Sequence, residues 1–314
     1  MHKHICLYHS ADLDGHCSGA IYSQYHTRKG IEYELYPIDY GDLIPWDNLK
    51  DAHITLIDFS LQPWSEFIKL IEVAKSVVWI DHHKSAINDY IKWIGKSTQK
   101  EINKLQKFDN LLNTKKAACE LAWKHYNLDE EMPLAVRLLG RYDVWDHSDE
   151  KVLPFQYGMR MLDLDPLNGK DKECWNNTFL HNSEHIYSHN CGENITCVYD
   201  IIIDIVHDGQ NILDYQEKQN AEAIKEWFPL NFANRQWQAY NRINKGSSIF
   251  KSIWNPRNFD GMLSFGWTGK MWKIGLFSDK EDVDCGEIAK QNGGGGHKGA
   301  AGFQCDKLPF EIGN

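Results

Sequence analysis

Seven side chains in the first half of this 314-residue chain have the types and spacing of a divalent-metal site. They are His9, Asp12 and Asp14 in His9-Ser-Ala-Asp12-Leu-Asp14-Gly15, then Asp58, then His82 and His83 in Asp81-His82-His83, and finally Asp143. Hard divalent ions take carboxylate oxygens with one or two imidazoles. Two ions that share a carboxylate can clamp a phosphate and lower the pKa of a water held between them. Each residue alone has a plainer use: an aspartate at a strand end forms a turn or caps a helix, and a histidine is a hydrogen-bonded imidazole. Together they are harder to explain that way, because grouped, buried carboxylates are costly unless cations neutralise them.

A second kind of site lies near the C-terminus, in Gly293-Gly294-Gly295-Gly296-His297-Lys298-Gly299-Ala300-Ala301-Gly302. Consecutive glycines let a backbone approach an anion and turn several N–H groups toward it, and His297 and Lys298 add donors and charge. A bare glycine run is otherwise a flexible surface loop. The small residues that follow argue instead for close packing.

These residues need elements to hold them. Ile5–Tyr8 is a short apolar run that leads into the His9–Asp14 segment, and Gly15–Lys29 has helical spacing. Tyr33–Ile38, Ile54–Ile57 and Val77–Ile80 read as strands. The second of them ends at Asp58 and the third at Asp81. Leu61–Ala74 reads as a helix with Pro63 near its start, where proline is tolerated. This β-α-β rhythm predicts an open parallel α/β sheet, and ligands of such sheets bind beyond the carboxyl ends of the strands. The strand pattern and the metal-site residues therefore point to one edge. Ala117–Tyr126 and Pro133–Tyr142 read as helices, and the polar stretch from about 165 to 195 as irregular structure. Ile201–Trp227 reads as a long helix, Met262–Trp267 and Trp272–Phe277 as strands, and Cys285–Gln291 as a helix. The expected organisation is a catalytic domain over 1–195, a helical linker over 196–229 and a smaller mixed α/β substrate-binding domain over 230–314.

Composition narrows the partners. The net charge is −10, and 42% of residues are hydrophobic. That balance excludes a broad basic surface for long duplex nucleic acid but permits a short phosphorylated substrate whose charge bound cations offset. No apolar run is long enough to span a bilayer, and no signal peptide is evident. The eight cysteines are scattered without a Cys-x-x-Cys pair, so reduced thiols and a cytoplasmic location are expected.

The ordered set His9-x-x-Asp12-x-Asp14-Gly15, Asp58, Asp81-His82-His83 and Asp143 resembles the DHH phosphoesterase superfamily. The Gly293–Gly302 stretch is similar to the glycine-rich loop of the C-terminal domain that accompanies one branch of it. NanoRNase and oligoribonuclease-type phosphodiesterases are the nearest in pattern, and single-strand exonucleases are more distant. The resemblance spans nearly the whole chain. It implies one ion held by His9, Asp12 and Asp58 and another by Asp14, Asp58, His82 and Asp143, with Asp58 bridging. It also implies that His83 faces the phosphate and that Asp81 orients the cluster. Asp146 is the alternative to Asp143 as the fourth-motif ligand. Mixed nitrogen and oxygen donors favour Mn²⁺, with Mg²⁺ or Co²⁺ as alternatives.

The implied activity is release of nucleoside 5′-monophosphates from short oligonucleotides or dinucleotides, with no membrane partner and a homodimer left open. Gly294, Gly295, Gly296, His297 and Lys298 would bind substrate. Many relatives carry an arginine ahead of the glycine loop. Here the stretch reads Leu276-Phe277-Ser278-Asp279-Lys280, so Ser278 or Lys280 would take its place. Trp267, Trp272 and Phe303 are candidates for stacking on a base. The rival readings are a cyclic dinucleotide phosphodiesterase, a pyrophosphatase and a non-catalytic nucleotide sensor.

Overall fold

A computed structural model describes residues 2–181, 198–243 and 246–312. The part of the expected irregular stretch over 182–195 lies outside the described residues. Of the remainder, residues 169–179 are helical rather than irregular, with Gly169–Cys174 capped by the Asn168 side chain and followed by the helical turn Trp175–Phe179. The chain divides into two units, Met1–Ile212 and Leu213–Asn314, and the division falls inside the long helix Val198–Ala223.

The first unit is built on a parallel sheet of five strands: β1 (His4–His9), β2 (Tyr33–Ile38), β3 (His53–Ile57), β4 (Ser76–Asp81) and β5 (Phe108–Leu112). Their order is β2-β1-β3-β4-β5. Strand β5 has no counterpart in the sequence reading, because Phe108-Asp-Asn-Leu-Leu lacks an apolar run and is only half-buried at the sheet edge. The central strands are buried on both faces, as parallel strands under crossover helices must be. Alternate side chains serve two cores. Cys6, Tyr8, Ile57 and Ile80 pack with the helices Leu13–Lys29, Ala118–Tyr126, Leu134–Asp143 and Val152–Leu162. Ile5, Leu7, Leu56 and Trp79 pack with the helices Trp64–Val73 and Lys84–Lys96.

The second unit carries a mixed sheet of six strands: β6 (Phe228–Phe232), β7 (Arg235–Tyr240), β8 (Gly261–Trp267), β9 (Trp272–Phe277), β10 (Gly295–Gly296) and β11 (Ala300–Cys305). Their order is β10-β11-β9-β8-β7-β6. Only the β7–β8 pair is parallel. The mixed α/β fold expected of the motif set is the fold observed.

Candidate metal centre

Each motif residue sits where a strand or helix ends. His9 is the last residue of β1. Asp12 caps the helix Leu13–Lys29 by accepting from the Gly15 amide at 3.0 Å, and Asp14 lies in that helix's first turn. This turn passes so close to β1 that a Cβ on Gly15 would overlap the His9 carbonyl oxygen, which is why the motif ends in glycine. Asp58 follows β3 with φ +59°, a left-handed conformation that aspartate tolerates better than most residues. Its amide donates to the Ile80 carbonyl at 3.0 Å, tying it to the neighbouring strand β4. Asp81 ends β4, His83 precedes the helix Lys84–Lys96, and Asp143 is the last residue of the helix Leu134–Asp143.

The side chains converge. His9, Asp12 and Asp58 form one group with donor atoms within 4.8 Å of one another, Asp14, His82 and Asp143 form a second, and Asp58, His82 and His83 a third. His9 Nδ1 lies 3.2 Å from Asp12 Oδ2 and 3.5 Å from Asp58 Oδ2. His82 Nε2 lies 3.0 Å from Asp143, 3.2 Å from Asp58 and 3.6 Å from Asp14. Asp58 thus stands between the two imidazoles.

Whether these donors suit cations is decided by what else they touch. Asp58 is 1% exposed, yet both its carboxylate oxygens, and His9 Nδ1, lack a hydrogen bond of acceptable geometry. A buried carboxylate that makes no well-aligned hydrogen bond is an expensive arrangement for a protein alone. It is the expected one where lone pairs converge on cations. The charges agree: Asp12, Asp14, Asp58 and Asp143 carry four negative charges when ionised, which two divalent ions would cancel.

The metal-free cluster shows the same shortage of positive charge. Burial would lower the His9 pKa, but the Asp12 and Asp58 carboxylates outweigh it and push it up to about 11. His82 follows the same pattern: burial lowers it, while Asp58, Asp14 and Asp143 raise it to about 10. Burial and the neighbouring carboxylates hold Asp14 well above the usual carboxylate range. Burial lifts Asp143 to about 6, with Asp58 and Asp12 adding to it against the pull of His82.

Surrounding groups fix the donors. Asp14 accepts from the Ala118 and Cys119 amides at 2.9 and 2.7 Å, at the start of the helix Ala118–Tyr126. Asp81 Oδ1 accepts from the His82 and His83 amides at 2.7 and 3.0 Å and meets His83 Nδ1 at 2.8 Å, while Oδ2 accepts from Trp79 Nε1 at 3.0 Å. Asp81 is thereby tied to the His82 and His83 backbone, the His83 ring and the Trp79 indole. With Nδ1 so engaged, Nε2 is the His83 ring nitrogen that points away from Asp81.

Asp39, absent from the sequence reading, meets His9 Nε2 at 3.2 Å and so directs Nδ1 into the cluster, the carboxylate–histidine arrangement common beside metals. The signal was available: Asp39 follows strand β2 as Asp58 follows β3. Asp146 is turned away from the centre. It is bound by Arg141 at 3.0 Å and by the Ser148 hydroxyl at 2.6 Å, and those hydrogen bonds hold its carboxyl at about 2.

In the second unit, β10 and β11 form an exposed hairpin closed by His297 and Ala300, whose amides and carbonyls pair at 2.8 and 3.2 Å. Gly294, Gly295, Gly296, His297 and Lys298 are all exposed along it. A Cβ on Gly294 would overlap the Gly302 carbonyl, so this glycine permits strand contact. Ser278 does not fit the role expected of it. Its hydroxyl donates to the Asp260 carbonyl at 2.7 Å and accepts from the Lys280 amide at 3.2 Å, leaving no free proton for a substrate. Phe303 is likewise core rather than stacking surface, at 4% exposure.

No family model matches the chain. An uncharacterized protein, R106, of Acanthamoeba polyphaga mimivirus is 22% identical over 333 aligned residues, covering 98% of this chain and 69% of that protein. Among solved structures, exonuclease RecJ bound to manganese is 16% identical, over 97% of this chain and 86% of that one, with a TM-score of 0.47. The pGpG-specific phosphodiesterase PggH of Vibrio cholerae is 13% identical, over 96% and 93%, with a TM-score of 0.45. An exopolyphosphatase-related protein of Bacteroides fragilis is 12% identical, over 99% and 88%, with a TM-score of 0.47. No helix among the described residues is long and apolar enough to cross a membrane.

Proposed function

We propose that the chain is a phosphodiesterase dependent on two divalent metal ions, with manganese preferred, that hydrolyses short oligonucleotides or dinucleotides to nucleoside 5′-monophosphates. The observation that carries this reading is Asp58: a buried carboxylate that makes no well-aligned hydrogen bond through either oxygen and stands between His9 on one side and His82 on the other. His9, Asp12 and Asp58 would hold one ion, and Asp14, Asp58, His82 and Asp143 the other. Bound there, the ions supply an activated water and neutralise phosphoryl oxygens.

The chain's own residues do the rest. Asp39 and Asp81 lock the His9 and His83 rings, the Ala118 and Cys119 amides anchor Asp14, and His83, whose protonated form Asp81 favours against burial, would donate from Nε2 to a phosphoryl oxygen as charge grows there. The net charge of −10 supports a short substrate over a long strand. The exposed hairpin carrying His297 and Lys298 supports a role for the second unit in holding that substrate's anionic groups.

The test is incubation of purified protein with Mn²⁺ and a panel of a dinucleotide, a pentanucleotide, a cyclic dinucleotide, a 24-mer and pyrophosphate, with His82→Ala as control. Mononucleotides released from the short linear species, and lost in the control, are the expected result. Cleavage of the cyclic species or pyrophosphate alone would replace the substrate assignment. Nucleotide binding without hydrolysis of anything would overturn the enzymatic one.

A further inference from the structure

Two exposed aromatic residues adjoin the metal-centre residues, Tyr40 in space and Trp145 in sequence, and the proposed chemistry uses neither. Tyr40 follows Asp39, and its ring lies 5.7 Å from that of His9 and 6.4 Å from that of His83. It rests on Phe59 at 5.0 Å, its hydroxyl meets the Ser60 hydroxyl at 3.3 Å, and it is still 46% exposed. Trp145 lies two residues beyond Asp143, a separation of at most about 7 Å along the chain. It is 81% exposed, although Trp79, Trp123, Trp175 and Trp237 are all fully buried.

The Trp145 backbone is held at φ +60°, a conformation in which a bulky residue is a true outlier. Surrounding bonds enforce it. The Trp145 and Asp146 amides donate to the Tyr142 and Arg141 carbonyls at 3.1 and 2.9 Å, and Arg141, Asp146 and Ser148 interlock through their side chains. His147 flanks the indole at 5.6 Å and stacks on Tyr142. A strained conformation fixed this firmly, presenting a large apolar ring to water two residues beyond Asp143, has the character of a functional device.

We infer that Tyr40 and Trp145 are the base-recognition residues of this site, each stacking on one of the two nucleobases that flank the scissile phosphate. Tyr40 lies beside His9 of one proposed metal group, and Trp145 follows Asp143 of the other by two residues, so each ring is assigned to a different member of the pair. A phosphodiester between two nucleosides also has a base on either side of its phosphorus. Aromatic stacking tolerates any base, since each has a π-face, and so selects for nucleotides over pyrophosphate or polyphosphate without selecting a sequence. The inference rests on the proposed phosphodiesterase function and specifies its substrate class.

The experiment measures kcat/KM with Mn²⁺ for 5′-phosphorylated diadenylate and for two analogues in which the 5′ or the 3′ nucleoside lacks its base. Wild-type protein is expected to prefer the intact dinucleotide by about tenfold at each position, in line with measured base stacking. Tyr40→Ala should abolish the preference at one position and Trp145→Ala at the other, while Tyr40→Phe and Trp145→Phe retain both. A role confined to folding would lower all three rates together and leave the preferences intact, which would overturn the inference. If the wild type cleaves none of the three, the proposed function fails. The rim is then judged by calorimetric binding of the same compounds, where equal base dependence in wild type and alanine variants refutes it.

Discussion

Substituting Asp58 by asparagine separates a metal centre from a buried ion-pair cluster, because the two predict opposite changes in opposite conditions. In the wild type, filling one site at 100 times its Kd adds about 2.7 kcal/mol, and two sites about 5 kcal/mol. For a unit of the size of Met1–Ile212, that is a rise of about 10–20 °C in Tm. The Asp58→Asn side chain would keep the shape but lose the anion shared by both groups. A 100-fold loss of affinity per site brings the gain at the same metal concentration down to RT ln 2 each, or about 2–3 °C in total. Without metal the variant should melt only a few degrees below the wild type, since Asp12 and Asp39 still pair with His9, and Asp14 and Asp143 with His82. If Asp58 were instead a structural partner of His9 and His82, removing it would break a buried pair at a cost of about 3–5 kcal/mol. The metal-free Tm would then fall by about 6–20 °C. The assay is thermal melting followed by circular dichroism in EDTA and in Mn²⁺. A wild type insensitive to metal, or a variant destabilised in EDTA with its metal response intact, would refute the reasoning.

Three further outcomes follow from the geometry. Gly15→Ala forces a Cβ onto the His9 carbonyl and should cost about 1–3 kcal/mol of stability, with hydrolysis lost beyond what the melting curve explains. Asp143→Asn should weaken metal binding at least about 100-fold, more than loss of an outer hydrogen-bond partner typically does, whereas Asp146→Asn should leave calorimetric metal titrations unchanged. Trp79→Phe removes the donor to Asp81 Oδ2 and should cost about 1–3 kcal/mol. Its kcat should fall while metal affinity is kept, as the proposed orienting role of Asp81 toward His83 requires.

Much of the first unit was legible because parallel strands buried on both faces leave a plain apolar signature. Ile54–Ile57 and Val77–Ile80 read as strands directly, and the polar residues at their ends fell at one sheet edge. Strand β5 escaped because Asp109 and Asn110 interrupt it at the half-buried edge, where pairing with β4 rather than side-chain pattern sets the conformation. In the second unit, β9 and the helix Cys285–Gln291 were read at their observed limits. Strands β6 and β7 were missed, since a mixed sheet imposes no uniform pattern. Ser278 was placed by analogy with an arginine, and its hydroxyl proved to be engaged with Asp260 and Lys280.

The sequence by itself determined which carboxylates and imidazoles are present and in what order. Tertiary structure alone decided which of them meet. Asp143 and Asp146 are three residues apart and equivalent as text. The helix ends at Asp143, leaving that carboxylate 3.0 Å from His82, and the left-handed turn at Trp145 delivers Asp146 to Arg141 and Ser148 instead. Asp39 joined the site for the complementary reason. β1 and β2 pair in parallel, so their carboxyl ends lie side by side, and a residue 30 positions from His9 becomes its hydrogen-bond partner.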